Sequence, residues 1–160
     1  MGNLDPKMNR LKILNNKKIR HIKNLILDQW GASFETDMVF LENEKGKIYI
    51  VSSDFAEIDI TRLNLDGIGI YFAEIKADEI RLSIEGSQMI GPSAKKNIVE
   101  LDDVEVKQWL KGTDIETELK AEGFVIIKNR DDFLGTGKYS SLQKKIFNYV
   151  PKGRRVNVID

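Results

Sequence analysis

The sequence predicts an α+β protein in which an N-terminal α/β piece packs on a small C-terminal β-barrel. Three observations predict it. Ile19, Ile22, Leu25, Ile26 and Trp30 form an apolar stripe at helical spacing. Two pairs of β-branched or aromatic runs follow, each pair broken by turn residues. From Phe124 onward, short strand-like runs alternate with glycine turns, the pattern of a small barrel rather than of a βαβ layer.

The elements follow in order. Residues 1–14, with Asp5-Pro6, read as an irregular arm. Asn15 or Asn16 caps a helix to about Trp30, and Gly31 stops it. Its cations Lys17, Lys18, Arg20 and Lys23 fall mainly off the apolar stripe. Met38–Leu41 and Lys47–Val51 flank Asn43-Glu-Lys-Gly46 as a hairpin. Phe55–Ile58 and Ile60–Leu65 fit a turn of helix and a short extended piece. Gly67–Glu74 and Glu79–Ile84 form a second hairpin around Lys76-Ala-Asp78. Two glycines and a proline make Glu85–Pro92 a tight connection, which divides a unit of residues 15–85 from one of residues 86–160. Asp102 or Asp103 caps a helix through Val104, Val106, Trp109 and Leu110, ended by Gly112. Asp114–Glu122 is a polar linker, and strands are expected at 124–128, 132–139, 144–149 and 155–159.

Composition bounds the chemistry. The 160 residues carry 25 Lys and Arg against 25 Asp and Glu, so the net charge is zero and a non-specific polybasic coater of nucleic acid is disfavoured. The charges are segregated, however. Lys7 to Lys23 contains cations and no acid, whereas Glu100 to Glu122 is acidic. The absence of cysteine excludes disulfides, cysteine-ligated zinc, iron–sulfur clusters and a cysteine nucleophile. It fits a cytoplasmic protein. No apolar run reaches membrane-spanning length, no signal-peptide h-region follows the basic N-terminus, and Pro6 occupies the place of a myristoylation hydroxyl. The expectation is a soluble protein with no membrane contact.

The C-terminal stretch carries the functional signal. Phe133-Leu-Gly-Thr-Gly-Lys138 and Phe147-Asn-Tyr-Val-Pro-Lys-Gly-Arg-Arg155 combine glycine, aromatic and basic residues, with no acid between Lys138 and Arg155. Phosphate needs cations and closely approaching backbone, and unstacked bases need ring faces or amides. That combination points to RNA.

The order Gly123-Phe-Val, Phe133-Leu-Gly-Thr-Gly-Lys138 and Asn148-Tyr-Val-Pro-Lys-Gly-Arg154 resembles a PUA-type RNA-binding domain. It is most like the region C-terminal to the catalytic domain in ribosomal-RNA cytosine-5 methyltransferases. Lys47-Ile-Tyr-Ile-Val, Ile70-Tyr-Phe-Ala-Glu, Arg81-Leu-Ser-Ile-Glu and Val106-Lys-Gln-Trp-Leu-Lys-Gly112 follow in the order of the piece preceding that domain. The resemblance covers roughly Asn15 to the C-terminus and extends to stand-alone, mainly archaeal proteins associated with ribosome biogenesis. It implies a pre-PUA piece packed on a PUA-like barrel, structured ribosomal or precursor RNA as partner, an RNA-modifying enzyme as a further partner, and no cofactor. The family's catalytic cysteine is absent, and Gly67-Ile-Gly69 lies between β-like runs rather than before a helix. The resemblance therefore implies the RNA grip without the methyl transfer.

Candidate contacts follow. Gly135 and Gly137 would let backbone approach RNA beside Thr136, with Lys138 on a phosphate; the plain alternative is a strand turn or bulge. Arg154 and Arg155 suit bidentate phosphate contact or base stacking. Lys145, Asn148 and Lys152 extend the same edge, and the resemblance adds Lys95 and Lys96 to its groove. Alternation with Phe147 favours a core or rim position for Tyr149 over a stacking platform. The single histidine, His21, suits a surface helix better than a metal site, and Asp102, Asp103 and Glu105 suit capping and the helix dipole. Ser83, Ser87 and Ser93 have no base near them in sequence. No catalytic or metal constellation emerges. The reading from another class is a protein–protein adaptor that docks to an RNA methyltransferase or a ribosome-assembly factor.

Overall fold

The computed structural model describes residues 11–55 and 69–157. The expected arm up to Arg10, the Ala56–Leu65 pieces, Gly67, Ile68 and the chain end beyond Asn157 lie outside them.

Helix α1, Asn16–Trp30, starts where the Asn15 side chain accepts the Lys18 amide and ends at Gly31 in the left-handed region. It buries Ile22, Ile26 and Trp30, the predicted stripe. Strands β1 (Lys12–Ile13), β2 (Val39–Glu42), β3 (Lys47–Val51), β4 (Ile70–Lys76) and β5 (Glu79–Leu82) form an antiparallel sheet in sequential order. Both residues of the β4–β5 turn, Ala77 and Asp78, have positive φ, the backbone of a two-residue hairpin whose twist matches its strands. That turn places Glu74 opposite Arg81.

The Glu85–Pro92 segment departs from expectation. Instead of a tight connection, Ile84–Ile90 forms helix α2 and Gly91–Ser93 a 3-10 turn. Ser83 caps the helix by accepting the Gly86 amide. The glycines serve close packing: a Cβ on Gly86 would lie 2.2 Å from the Phe72 carbonyl oxygen, and one on Gly91 2.2 Å from the Phe133 ring. The division at residues 85 and 86 thus falls inside α2.

The second sheet has the order β6-β8-β9-β10-β7 and curls into a half-barrel. Its strands are β6 (Ile98–Glu100), β7 (Ile115–Glu116), β8 (Phe124–Asn129), β9 (Asp132–Ser140) and β10 (Lys145–Phe147). β6 runs parallel to β8, and the remaining pairs are antiparallel. Helix α3, Asp103–Leu110, opens with a reciprocal capping box between Asp102 and Glu105. The polar linker contributes an edge strand because Ile115 is buried. No strand forms over Arg155–Asn157; Lys152–Arg154 is a 3-10 turn, and the Val156 amide donates to the Leu110 carbonyl at the end of α3.

Strand β8 explains how the layers join. Phe124 to Ile127 are all buried, and successive side chains face opposite ways. Phe124 and Ile126 enter a cluster with Trp30, Phe40, Phe72 and the first sheet, whereas Val125 and Ile127 enter one with Trp109, Ile115, Tyr139 and Ile146. Trp30 and Gln29 of α1 both donate to the Phe124 carbonyl, at 3.0 and 2.8 Å. The α+β architecture, with a barrel-like C-terminal sheet, is therefore as predicted.

Candidate nucleic-acid interface

The Gly-Thr-Gly segment is interior. Gly135, Thr136 and Gly137 are all buried. The Gly135 amide donates to Ser87 Oγ at 2.8 Å, and the Thr136 hydroxyl donates to the Leu82 carbonyl at 2.9 Å. Gly135 has φ +91°, which suits glycine. A Cβ on Gly137 would lie 2.5 Å from both Ile146 Cγ2 and Trp109 Cη2. These three residues position the second sheet against α2 and α3, and the expected exposure of their backbone to RNA does not occur.

The other sequence-selected residues divide into tied and free. Asn148 is tied: its side-chain amide donates to the Trp109 and Thr113 carbonyls and its oxygen accepts the Val150 amide. Half-buried Arg155 donates through Nε to the Val150 carbonyl and lies across Gly112, beside the carbonyl end of α3. Lys145 pairs with Asp114 at 3.7 Å and Arg154 with Glu85 at 2.6 Å. Lys138 pairs with Glu79 at 2.9 Å, joining β9 to β5; that hydrogen bond holds its ammonium pKa above the ordinary lysine value. Lys152 is exposed, and its ammonium has no partner among the described residues. Lys95 and Lys96 are exposed at the end of α1, where their amides donate to the Trp30 carbonyl. Their charges also suit the negative end of that helix.

Around Tyr149, the structure assembles a cleft that single residues did not announce. Its walls are Glu74, Lys76, Glu79 and Arg81 from the β4–β5 hairpin and Phe124 and Tyr149 from the C-terminal part, around about 180 Å³. Tyr149, 38% exposed, meets Phe124 edge to face at 5.1 Å, and the Arg81 guanidinium lies 4.7 Å from its ring centre. Tyr149 is thus a rim aromatic, as its alternation predicts, with part of its ring in the open. Behind it a smaller cavity of about 40 Å³ reaches Ser83, Gly135 and Pro151.

The cleft's charges are paired. Buried Glu74 accepts from Lys76 through Oε1 at 3.0 Å and from Arg81 through Oε2. Burial pushes the Glu74 pKa up, but the Lys76 hydrogen bond and the Arg81 and Lys76 charges outweigh it and hold the carboxyl below its ordinary value. Burial raises the Tyr71 phenol in spite of Arg81 nearby. The signal for Arg81 was available in the sequence: Ile80 and Leu82 face the core, so Arg81 must face away, opposite Glu74 across a two-residue turn.

Among the described residues, no group of three or more histidine or acidic side chains is placed to hold a metal ion, and no helix is long and apolar enough to cross a membrane. Ser83 and Ser87 are spent on backbone groups: Ser83 donates to the Tyr71 and Phe72 carbonyls and Ser87 to that of Ile84.

Known proteins resemble the chain over this same region. Residues 96–156 match the family model described as the methyltransferase RsmF PUA domain. Ribosomal RNA small subunit methyltransferase F of Shewanella sp. (strain W3-18-1) and that of Shewanella putrefaciens (strain CN-32 / ATCC BAA-453) are each 28% identical over 144 residues, covering 85% of this chain and 28% of their own. The enzyme of the same name from Aeromonas salmonicida (strain A449) is 30% identical over 92 residues, 57% of this chain and 19% of its own. The chain thus spans little more than a quarter of the length of the Shewanella relatives.

Proposed function

With residues 96–156 forming a PUA domain of the type found in RsmF methyltransferases, we propose that this protein binds structured RNA, ribosomal RNA or its precursor, without catalysing a reaction on it. The observation that carries the reading is the match of that domain to proteins named for ribosomal RNA methylation. The similarity model covers the PUA region, and the chain brings no cysteine with which to attack cytosine. Recognition works by shape: cations fix the phosphate backbone, while the seam between the two sheets receives a base or a 2′-hydroxyl.

The contact set differs from the sequence expectation. Lys138 reaches the cleft, bonded to Glu79 and 5.6 Å from the Phe124 ring; Lys152 and Arg154 follow Tyr149 in the chain, and Lys95 and Lys96 add exposed charge beside α1. Gly135, Thr136, Gly137, Asn148 and Arg155 support the site from within. Residues 15–85 act as the supporting unit and 86–160 as the RNA-binding unit, in the cytoplasm and in the service of ribosome biogenesis or RNA modification.

Titrating the protein with ribosomal-RNA fragments and matched duplex DNA across a salt series tests this. RNA-preferring binding that retains affinity at high salt supports it. Weak binding to both, vanishing with salt, refutes it and leaves the adaptor that docks to a methyltransferase or assembly factor.

A further inference from the structure

The cleft between the β4–β5 hairpin and Tyr149 offers a phosphate no unpaired cation. Lys76 and Arg81 both pair with Glu74, and Lys138 pairs with Glu79. What remains open is a partly exposed aromatic ring, an ammonium and a carboxylate edge. Glu79 uses Oε1 on Lys138, and its Oε2 has no partner among the described residues. Lys76 gives one N–H to Glu74, and its side chain, 76% exposed, keeps further donors toward the cleft mouth.

We propose that this cleft is a base-recognition subsite that takes one unstacked guanine of the RNA. The base stacks on Tyr149, its N1–H and N2–H donate to the Glu79 carboxylate, and its O6 and N7 face the Lys76 ammonium. Each element answers a chemical requirement. A base out of its helix needs a ring or guanidinium plane to replace lost stacking, and Tyr149 with Arg81 supplies both. A carboxylate is an acceptor only, so it selects an edge with adjacent donors. Guanine presents two donors side by side and, on its other edge, two acceptors for a cation. Adenine lacks the imino donor, and pyrimidines offer a smaller face to the ring. Both Glu74 oxygens are occupied, so Glu79 is the reader and Glu74 fixes the Arg81 plane.

This inference rests on the RNA-binding reading above, and the test separates the two. The full chain is titrated with an RNA hairpin carrying a single-nucleotide bulge, varied as guanine, inosine, adenine or abasic, at two salt concentrations. The expected result is roughly tenfold tighter binding of guanine than adenine, from one bidentate contact. Inosine, which lacks N2–H, falls between them. Glu79→Gln brings guanine and adenine together, a ratio within one variant that is insensitive to general loss of affinity. Tyr149→Ala removes the advantage of any base over the abasic site, whereas Tyr149→Phe, which keeps the ring and guards against a folding artefact, retains it. Salt-dependent RNA binding that is equal for all four bulges overturns the subsite and leaves the RNA reading standing. No preference of the protein for RNA over DNA overturns both.

Discussion

Replacing Gly137 with alanine separates the two roles that glycine can have in the Gly-Thr-Gly segment. The added Cβ would stand 2.5 Å from Ile146 Cγ2, 2.5 Å from Trp109 Cη2 and 2.7 Å from the Phe147 carbonyl oxygen. Carbon atoms pack comfortably at about 3.5–4.0 Å, so two contacts are short by roughly 1 Å. Neither neighbour yields easily. Trp109 is fully buried and tethered by its indole N–H to the Leu134 carbonyl at 2.9 Å, and Ile146, also fully buried, lies with Phe147 on the pairing strand β10. Overpacking of this kind costs about 1–3 kcal/mol, and contact with backbone puts Gly137→Ala near the upper end. At about 2–4 °C per kcal/mol for a chain of this size, Tm should fall by about 6–12 °C. A thermal melt followed by circular dichroism reads this directly. RNA affinity, measured well below the melt, should stay within about twofold. An unchanged Tm with a clear loss of RNA affinity would refute the reasoning, because the glycine would then serve approach to the ligand.

The Glu74 carboxyl titrates below its ordinary value, so its contribution is present above the unfolded pKa of about 4.3 and is lost as pH falls through the folded one. The stability gap between wild type and Glu74→Gln, from urea midpoints, should be constant above about pH 5 and shrink below about pH 4; a gap independent of pH would sink the assignment. Lys152→Ala should lower the salt slope of RNA binding by up to about one unit and leave Tm unchanged. Asn148→Ala should do the reverse, lowering Tm by removing two bonds to carbonyls of the α3 end, and equal effects of both variants would undo the division into tied and free residues. Trp30 and Trp109 lie in different core clusters, yet β8 belongs to both, so single-tryptophan variants Trp30→Phe and Trp109→Phe should report one shared denaturation midpoint once each is compared with its own circular dichroism. Two separated midpoints in either variant would show that the sheets melt independently.

Local chemistry was legible in the sequence wherever one residue and its near neighbours decide the backbone. Asn15 and Gly31 bracket α1, Asp102 with Glu105 opens α3, and the Ala77-Asp78 turn sets the second hairpin. The failures share a cause. Gly86 and Gly91 look like turn residues, but they accommodate Phe72 and Phe133, contacts the chain order does not reveal. Gly135 to Gly137 have the composition of an exposed loop, and burial follows from partners on Leu82 and Ser87, some fifty positions earlier. The cleft escaped notice for the same reason, since Arg81 and Tyr149 meet only after two sheets are brought together. Free cations were the most misleading class: sequence shows where charge is placed, whereas Glu85, Asp114 and Glu79 determine how much of it is still available.

The two-faced strand β8 has a consequence for what counts as a module here. The segment that sequence comparison recognises, residues 96–156, owns Phe124, Ile126, Ile98 and Phe133, yet their apolar surfaces are covered by α1 and the first sheet. Inherited likeness and physical autonomy therefore have different borders. Cut out at the limits of the likeness, the domain would carry an uncovered oily flank and tend to self-associate. Any recombination that moved it to a new host, in nature or at the bench, would have to carry its N-terminal companion along or supply an equivalent cover.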